Sequence, residues 1–191
     1  MIPHHSAVRT VLIVLSTQGL GCMLSSLTSA RTVEAFAALG STLSVFVAAS
    51  TTGAYVGAGR RCMCGALLVV WSLRLSAYLY IRNIPPNVPL KSLAISRTLW
   101  SCGASLPVVL LFATVSAPDS ILRYEWAAAV LAVVFLVLEH LADAEKWIWH
   151  CDNRSNEAVV TSGVWSLSRH ANLAGEGLFH VALCVLCIRG A

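Results

Sequence analysis

The run ILRYEWAAAVLAVVFLVLEHLADAEK, residues 121–146, decides the fold. From Ala127 to Leu138 it holds no polar side chain, and only then do Glu139, His140 and Asp143 appear. A bilayer core of about 30 Å takes roughly 20 helical residues to cross, and this run is long enough. The chain around it has the same character. Of its 191 residues, 57% are hydrophobic and 12% charged, with mean hydropathy +0.74. A soluble domain has roughly 45–50% apolar and about 25% charged residues. Too few polar side chains remain to cover a water-facing surface, so the sequence specifies an integral membrane protein embedded in a lipid bilayer.

Working outward, five further apolar segments can cross a bilayer, giving spans near 8–27, 35–57, 63–83, 98–117, 121–146 and 173–189. The expected fold is all-α: a polytopic bundle of about six membrane helices in a single domain, 1–191. The second span is rich in Ala, Ser, Thr and Gly, which suits close helix packing better than lipid contact. The first reads as a retained helix, although TSA at 28–30 resembles a cleavage site. Proline marks the break NIPPNVP at 83–89. SAPDS at 116–120 is the next, with Asp119 or Ser120 able to cap the fifth helix.

Charge then sets an expected orientation. With six spans, one side receives Arg31, Arg82, Lys91, Arg97, Lys146, Arg154 and Arg169. The other receives Arg9, Arg60, Arg61, Arg123 and Arg189. The richer side, carrying the 83–97 and 147–172 connectors, is expected in the cytosol. The net charge of +4 is spread along the chain with no basic block, which argues against a nucleic-acid partner. Seven cysteines sit mostly within apolar runs and read as small buried hydrophobes, with no metal site and no disulfide framework.

Two helical faces carry polar groups into the apolar zone. In WSLRLSAYLYIRN, residues 71–83, Trp71, Arg74, Tyr78 and Arg82 are spaced by 3, 4 and 4 and share one face. An arginine in a membrane helix costs roughly 2.5–3.5 kcal/mol on insertion scales, so it faces a cavity or a partner, or snorkels to the interface. Both readings stand for Arg74; snorkelling is the reading for Arg82. At the end of the fifth span, Glu139, Asp143, Lys146 and His150 again share a face. They read either as mutually neutralised at i,i+3 and i,i+4 or as one wall of a cofactor pocket.

The connector TSGVWSLSRHANLAGE, residues 161–176, is polar and glycine-bearing between two apolar segments. Gly163 and Gly175 permit tight backbone approach. Trp165 offers a flat face, Arg169 and His170 offer donors to an anion, and Asn172 offers donor and acceptor together. Glu176 lies near the start of the last helix, where the dipole favours an acid.

GVWSLSRHANLAGE resembles the C-terminal signature G-x-W-x-x-x-R-H-P-N-Y-x-G-E/D of the steroid 5-alpha-reductase and sterol-reductase superfamily, with related forms in DUF1295 membrane proteins. WSLRLSAYLYIRN looks like the W-x-x-R-L-x-x-Y/H-L-x-x-R helix of DUF1295 proteins, and ADAEK before a Trp-rich stretch looks like their D-x-Q-K element. The three matches, in order, cover about residues 65–180. The resemblance implies a reductase that passes a hydride from NADPH, taken from the cytosol, to a carbon–carbon double bond of a lipid or steroid-like substrate. It implies cofactor contacts for Lys146, Val160, Trp165 and Asn172, and orientation or cofactor roles for His170 and Glu176, with Arg169 and Arg74 as further anion-facing groups. Tyr78 and Glu139 are the candidates for the acid that polarises the acceptor carbonyl. The membrane expected is the endoplasmic reticulum in a eukaryote or the inner membrane in a bacterium.

The pattern also departs from the signature. Ala171 stands for Pro, Leu173 for Tyr, and His150 where an Arg is common. The chain stops 15 residues after Glu176, before the segment that closes over the cofactor in such enzymes. A second expectation is therefore a catalytically inactive, shortened relative serving as a structural or partner-binding membrane subunit. A third is an isoprenylcysteine or phospholipid methyltransferase using S-adenosylmethionine, which shares the R-H-P element.

Overall fold

A computed structural model describes residues 4–25, 29–52, 59–82, 89–114, 120–152 and 159–188. Among them are six helices: α1 His4–Ser25, α2 Ala30–Thr52, α3 Gly59–Ile81, α4 Leu90–Ala113, α5 Arg123–Asp152 and α6 Ala171–Cys187. A single 3₁₀ turn, Gly163–Ser166, precedes α6, and no described residue is in a strand. Helices α2 to α5 are long and apolar enough to cross a membrane, while α6 and the apolar part of α1, Val8–Gly21, are shorter. The expected helical membrane bundle is the fold found.

Helix boundaries differ from the hydropathy spans at the polar ends. Helix α4 starts at Leu90, so Lys91 and Arg97 are helical and not part of a connector. Helix α5 runs on to Asp152 and α6 starts at Ala171, which shortens the 147–176 connector from both sides. Charged and aromatic residues continue a helix beyond its apolar centre, and a hydropathy window ends too early there. The fifth helix is not capped by Ser120. The Glu125 carboxylate in its first turn accepts the backbone N–H of Leu122 at 2.6 Å. Asp119, Arg154, Arg189, Thr28 and the 83–88 break lie outside the described residues.

Cross-helix contacts fix the topology. Thr10 meets Thr51, and Gln18 bonds Gly40 and Ser44, so α1 and α2 are antiparallel. Glu34 meets Arg82 and Thr42 meets Ser72, so α2 and α3 are antiparallel as well. Helices α2 and α4 run parallel, through Glu34–Arg97 and Ser41–Ser101. So do α3 and α5, through Arg60–Glu125 and Arg74–Glu139. The chain thus alternates direction from helix to helix.

Lipid supplies little hydrophobic drive between helices, so packing and polar contacts hold such a bundle together. The small residues of α2 do this against α1, α3 and α4: Ser41, Ser44 and Ala48 are fully buried. Gln18 is enclosed by Gly40, Ser44, Ser105 and Cys102. On the other side, Trp71 of α3 stacks on Phe179 of α6 at 6.1 Å between ring centres. Leu68, Leu136, Leu183 and Leu186 complete that core. The cysteines divide. Cys64 and Cys187 are buried as expected, but Cys62, Cys151 and Cys184 are exposed.

Candidate functional site

Glu34 sits near the start of α2 at 2% exposure, where an unpaired carboxylate would be costly. Two arginines neutralise it. Arg82, from the residue after α3, grips both carboxylate oxygens at 2.6 Å, and Arg97 of α4 reaches one of them at 2.8 Å. Arg82 is therefore held by Glu34 and not simply snorkelling. Glu34 and Arg97 were not singled out from the sequence. The acid falls one residue before the expected span, and only the fold brings Arg97 to it.

Arg74 resolves the other ambiguity. It donates to Glu139, and two of its nitrogens lie 3.0 Å from Asp143 Oδ2. The α5 acids are thus neutralised from α3 and not by Lys146 and His150 on their own helix. Lys146 instead lies 5.2 Å over the Trp165 ring, and His150 is exposed beside Trp149.

These groups surround a cavity of about 210 Å³ at the end of the bundle where α2, α4 and α6 begin and α3 and α5 approach their ends. Its walls include Trp71, Tyr78, Arg82, Glu34, Arg97, Trp100, Glu139, Asp143, Asn172, Leu173 and Glu176. The Trp100 indole N–H points to Glu176 at 3.3 Å, and the Asn172 amide lies 3.5 Å from Asp143. Beside the cavity, sharing Tyr78 and Asp143 with it, an apolar groove of about 270 Å³ runs between α3 and α5. Arg74, Ala77, Ile81, His140, Ala144 and Trp147 line the rest of it.

Gly175 sets how closely the α5 and α6 walls approach. A Cβ there would lie 2.9 Å from the Glu139 backbone nitrogen, so only glycine allows this contact. Gly163 is needed for a different reason. Its φ is +57°, and a side chain would also run into the Glu145 carboxylate, which accepts the Val164 N–H at 3.0 Å.

The sequence candidates therefore fall into three groups. Tyr78, Glu139, Asn172 and Glu176 line one cavity, with Arg74 bonded to its acids. Val160 and Trp165 are buried in a satellite cluster with Ala142 and Ala171, where the indole N–H donates to the Ala142 carbonyl at 2.9 Å. Arg169 and His170 are exposed, directly before the α6 turns that wall the cavity.

Residues 87–190 match the family described as "Protein of unknown function (DUF1295)", which is more than half of the chain. No curated protein and no solved structure matches it. The chain belongs to the DUF1295 family. The matched region contains the α4, α5 and α6 walls of the cavity, while Glu34, Arg74, Tyr78 and Arg82 lie before it.

Proposed function

We propose that this DUF1295 member is a membrane-embedded, NADPH-dependent reductase of the steroid 5-alpha-reductase and sterol-reductase type. Its substrate is a lipid with a reducible carbon–carbon double bond, and the cavity end of the bundle faces the cytosol. One observation carries this reading. The three segments that resemble reductase motifs lie far apart in sequence, yet Tyr78, Asp143 and Asn172, one from each, line the same cavity.

The residues present fit a nucleotide in a particular direction. The three arginines at the cavity are held by Glu34, Glu139 and Asp143, which leaves little cationic character inside for phosphates. The exposed Arg169 and His170, with Lys146 beside the buried Trp165, are the groups that would receive them. The bound nucleotide supplies the hydride. Asn172 orients its neighbour by offering donor and acceptor at the cavity wall. Tyr78, common to cavity and groove, is placed to donate a proton to the polarised acceptor.

The reading is tested by NADPH binding to detergent-solubilised protein, followed by nucleotide fluorescence, with Asn172→Ala and Lys146→Ala alongside. Saturable binding weakened in both variants supports it, and a folded protein that binds no NADPH overturns it. One feature favours a second reading, that of a non-catalytic partner-binding subunit. Leu173 lines the cavity where the resembled signature has a tyrosine, so no hydroxyl is presented from that position.

A further inference from the structure

Among the described residues, the carboxylates at the cavity outnumber the guanidiniums. Four carboxylates face it, from Glu34, Glu139, Asp143 and Glu176, against the guanidiniums of Arg74, Arg82 and Arg97. Lys146 stands outside the lining, over Trp165. Glu34 takes two of the arginines and Arg74 is shared by Glu139 and Asp143. Among the described residues, the hydrogen bond to Glu176 comes from the Trp100 indole N–H.

The deepest acid is also incompletely bonded. Glu139 is 2% exposed, and its Oε2 has no hydrogen-bond partner among the described residues. A buried carboxylate oxygen left without a donor is costly, and the cost is removed by a ligand that brings one. The walls around it include the aromatic side chains of Trp71, Trp100 and Tyr78, a residue type that attracts cations. The adjoining groove between α3 and α5 is apolar and has a volume of about 270 Å³.

We propose that the cavity and groove together bind a single-chain amphiphile with one protonated amine. Its ammonium lies between Glu139 and Glu176 against the aromatic wall, and its alkyl chain lies in the α3–α5 groove. The proposal deepens the reductase reading by naming the substrate class, and it rests on that reading only in taking this cavity as the substrate site. A site whose described carboxylates outnumber its guanidiniums, and which holds an acceptor without a donor, selects a monocation with N–H donors over a neutral alcohol or an anion.

The probes are dodecylamine, dodecanol and dodecanoate, equal in chain length and different only in the head. Each is titrated against the full chain in neutral phosphatidylcholine nanodiscs without NADPH. Dodecylamine is expected to bind at least about tenfold tighter than either of the others, the size of a hydrogen bond to a charged group. Glu139→Gln and Glu176→Gln keep shape and remove charge, and each is expected to reduce that preference to under about threefold, while Lys91→Ala on the exposed start of α4 keeps it.

If Glu139→Gln does not fold, Glu176→Gln carries the test. Equal affinity for amine and alcohol overturns the proposal, and so does a preference that survives both glutamine variants. A separate NADPH titration keeps the two readings apart. Amine selectivity without NADPH binding upholds the cation site and removes the reductase. NADPH binding without head-group selectivity does the reverse.

Discussion

Two arginines of α3, Arg60 and Arg74, pair with acids of α5, and the two places are built differently. Arg60 meets Glu125 at one end of the bundle and Arg74 meets Glu139 at the other. The residues of each pair are 65 apart in sequence, and the two pairs are separated by 14 residues on both helices, about 21 Å of helix. The first pair is closed. Arg60 is 1% exposed and Glu125 fully buried, and that carboxylate also accepts from the Leu122 backbone while Arg60 donates to the Ser120 carbonyl. The second opens on a cavity, shares its arginine with Asp143, and leaves one oxygen of Glu139 unpartnered among the described residues. The same chemistry on the same two helices thus serves as a structural tie in one place and as a ligand wall in the other. What separates them is access: Arg60 and Glu125 are buried, although Arg60 Nε and Nη1 have no hydrogen-bond partner among the described residues, whereas Glu139 and Asp143 line the cavity wall.

The largest expected effect lies at the closed pair. Glu125→Ala leaves Arg60 buried without a counter-charge and should cost about 3–5 kcal/mol of stability, read from unfolding in mixed detergent. The apolar pair Arg60→Met with Glu125→Leu should recover most of that loss. A cost below about 1 kcal/mol for the single change would show that the pair is no structural tie. At the open end, Tyr78→Phe should lower NADPH-dependent reduction by about 10²-fold or more with stability nearly unchanged, and an unaltered rate would remove the tyrosine from the chemistry.

Smaller effects sharpen the contrast. Gly175→Ala pushes α6 away from Glu139 and should destabilise by about 1–3 kcal/mol, with the loss visible in the same unfolding assay. Trp165→Phe removes the bond to the Ala142 carbonyl and should cost about 1 kcal/mol; no loss would mean that the indole is not held there. Arg169→Ala should change stability by less than about 0.5 kcal/mol while weakening NADPH binding, and unchanged nucleotide affinity would take this exposed arginine out of the cofactor path.

Much of the fold was legible because lipid leaves so few options. Each long apolar run had to be a helix, while the polar stretches between runs were only partly connectors, since Lys91 and Arg97 are helical and α5 runs on to Asp152. Polar positions inside the runs then pointed to the site. Trp71, Arg74, Tyr78 and Arg82 do face inward together, and Glu139, the acid hardest to explain as surface, is buried. The pairing was not legible. Arg74 chooses Glu139 and Asp143 across 65 and 69 residues, a relation that leaves no trace in periodicity. Glu34 was missed because a carboxylate at a helix end looks solvated until the arginines that enclose it are in place. Trp165 shows what periodicity does not reveal: its ring lies in a satellite core and its N–H donates to the Ala142 carbonyl of α5.

The double attachment between α3 and α5 also has a mechanical meaning. A helix pinned to its neighbour at one point can pivot and slide about it, whereas two pins about 21 Å apart resist both tilt and shear. The tie between the two helices is therefore made by these charged pairs, while α6 is held to α5 by the close approach at Gly175 and to α4 by the 3.3 Å bond between Trp100 and Glu176.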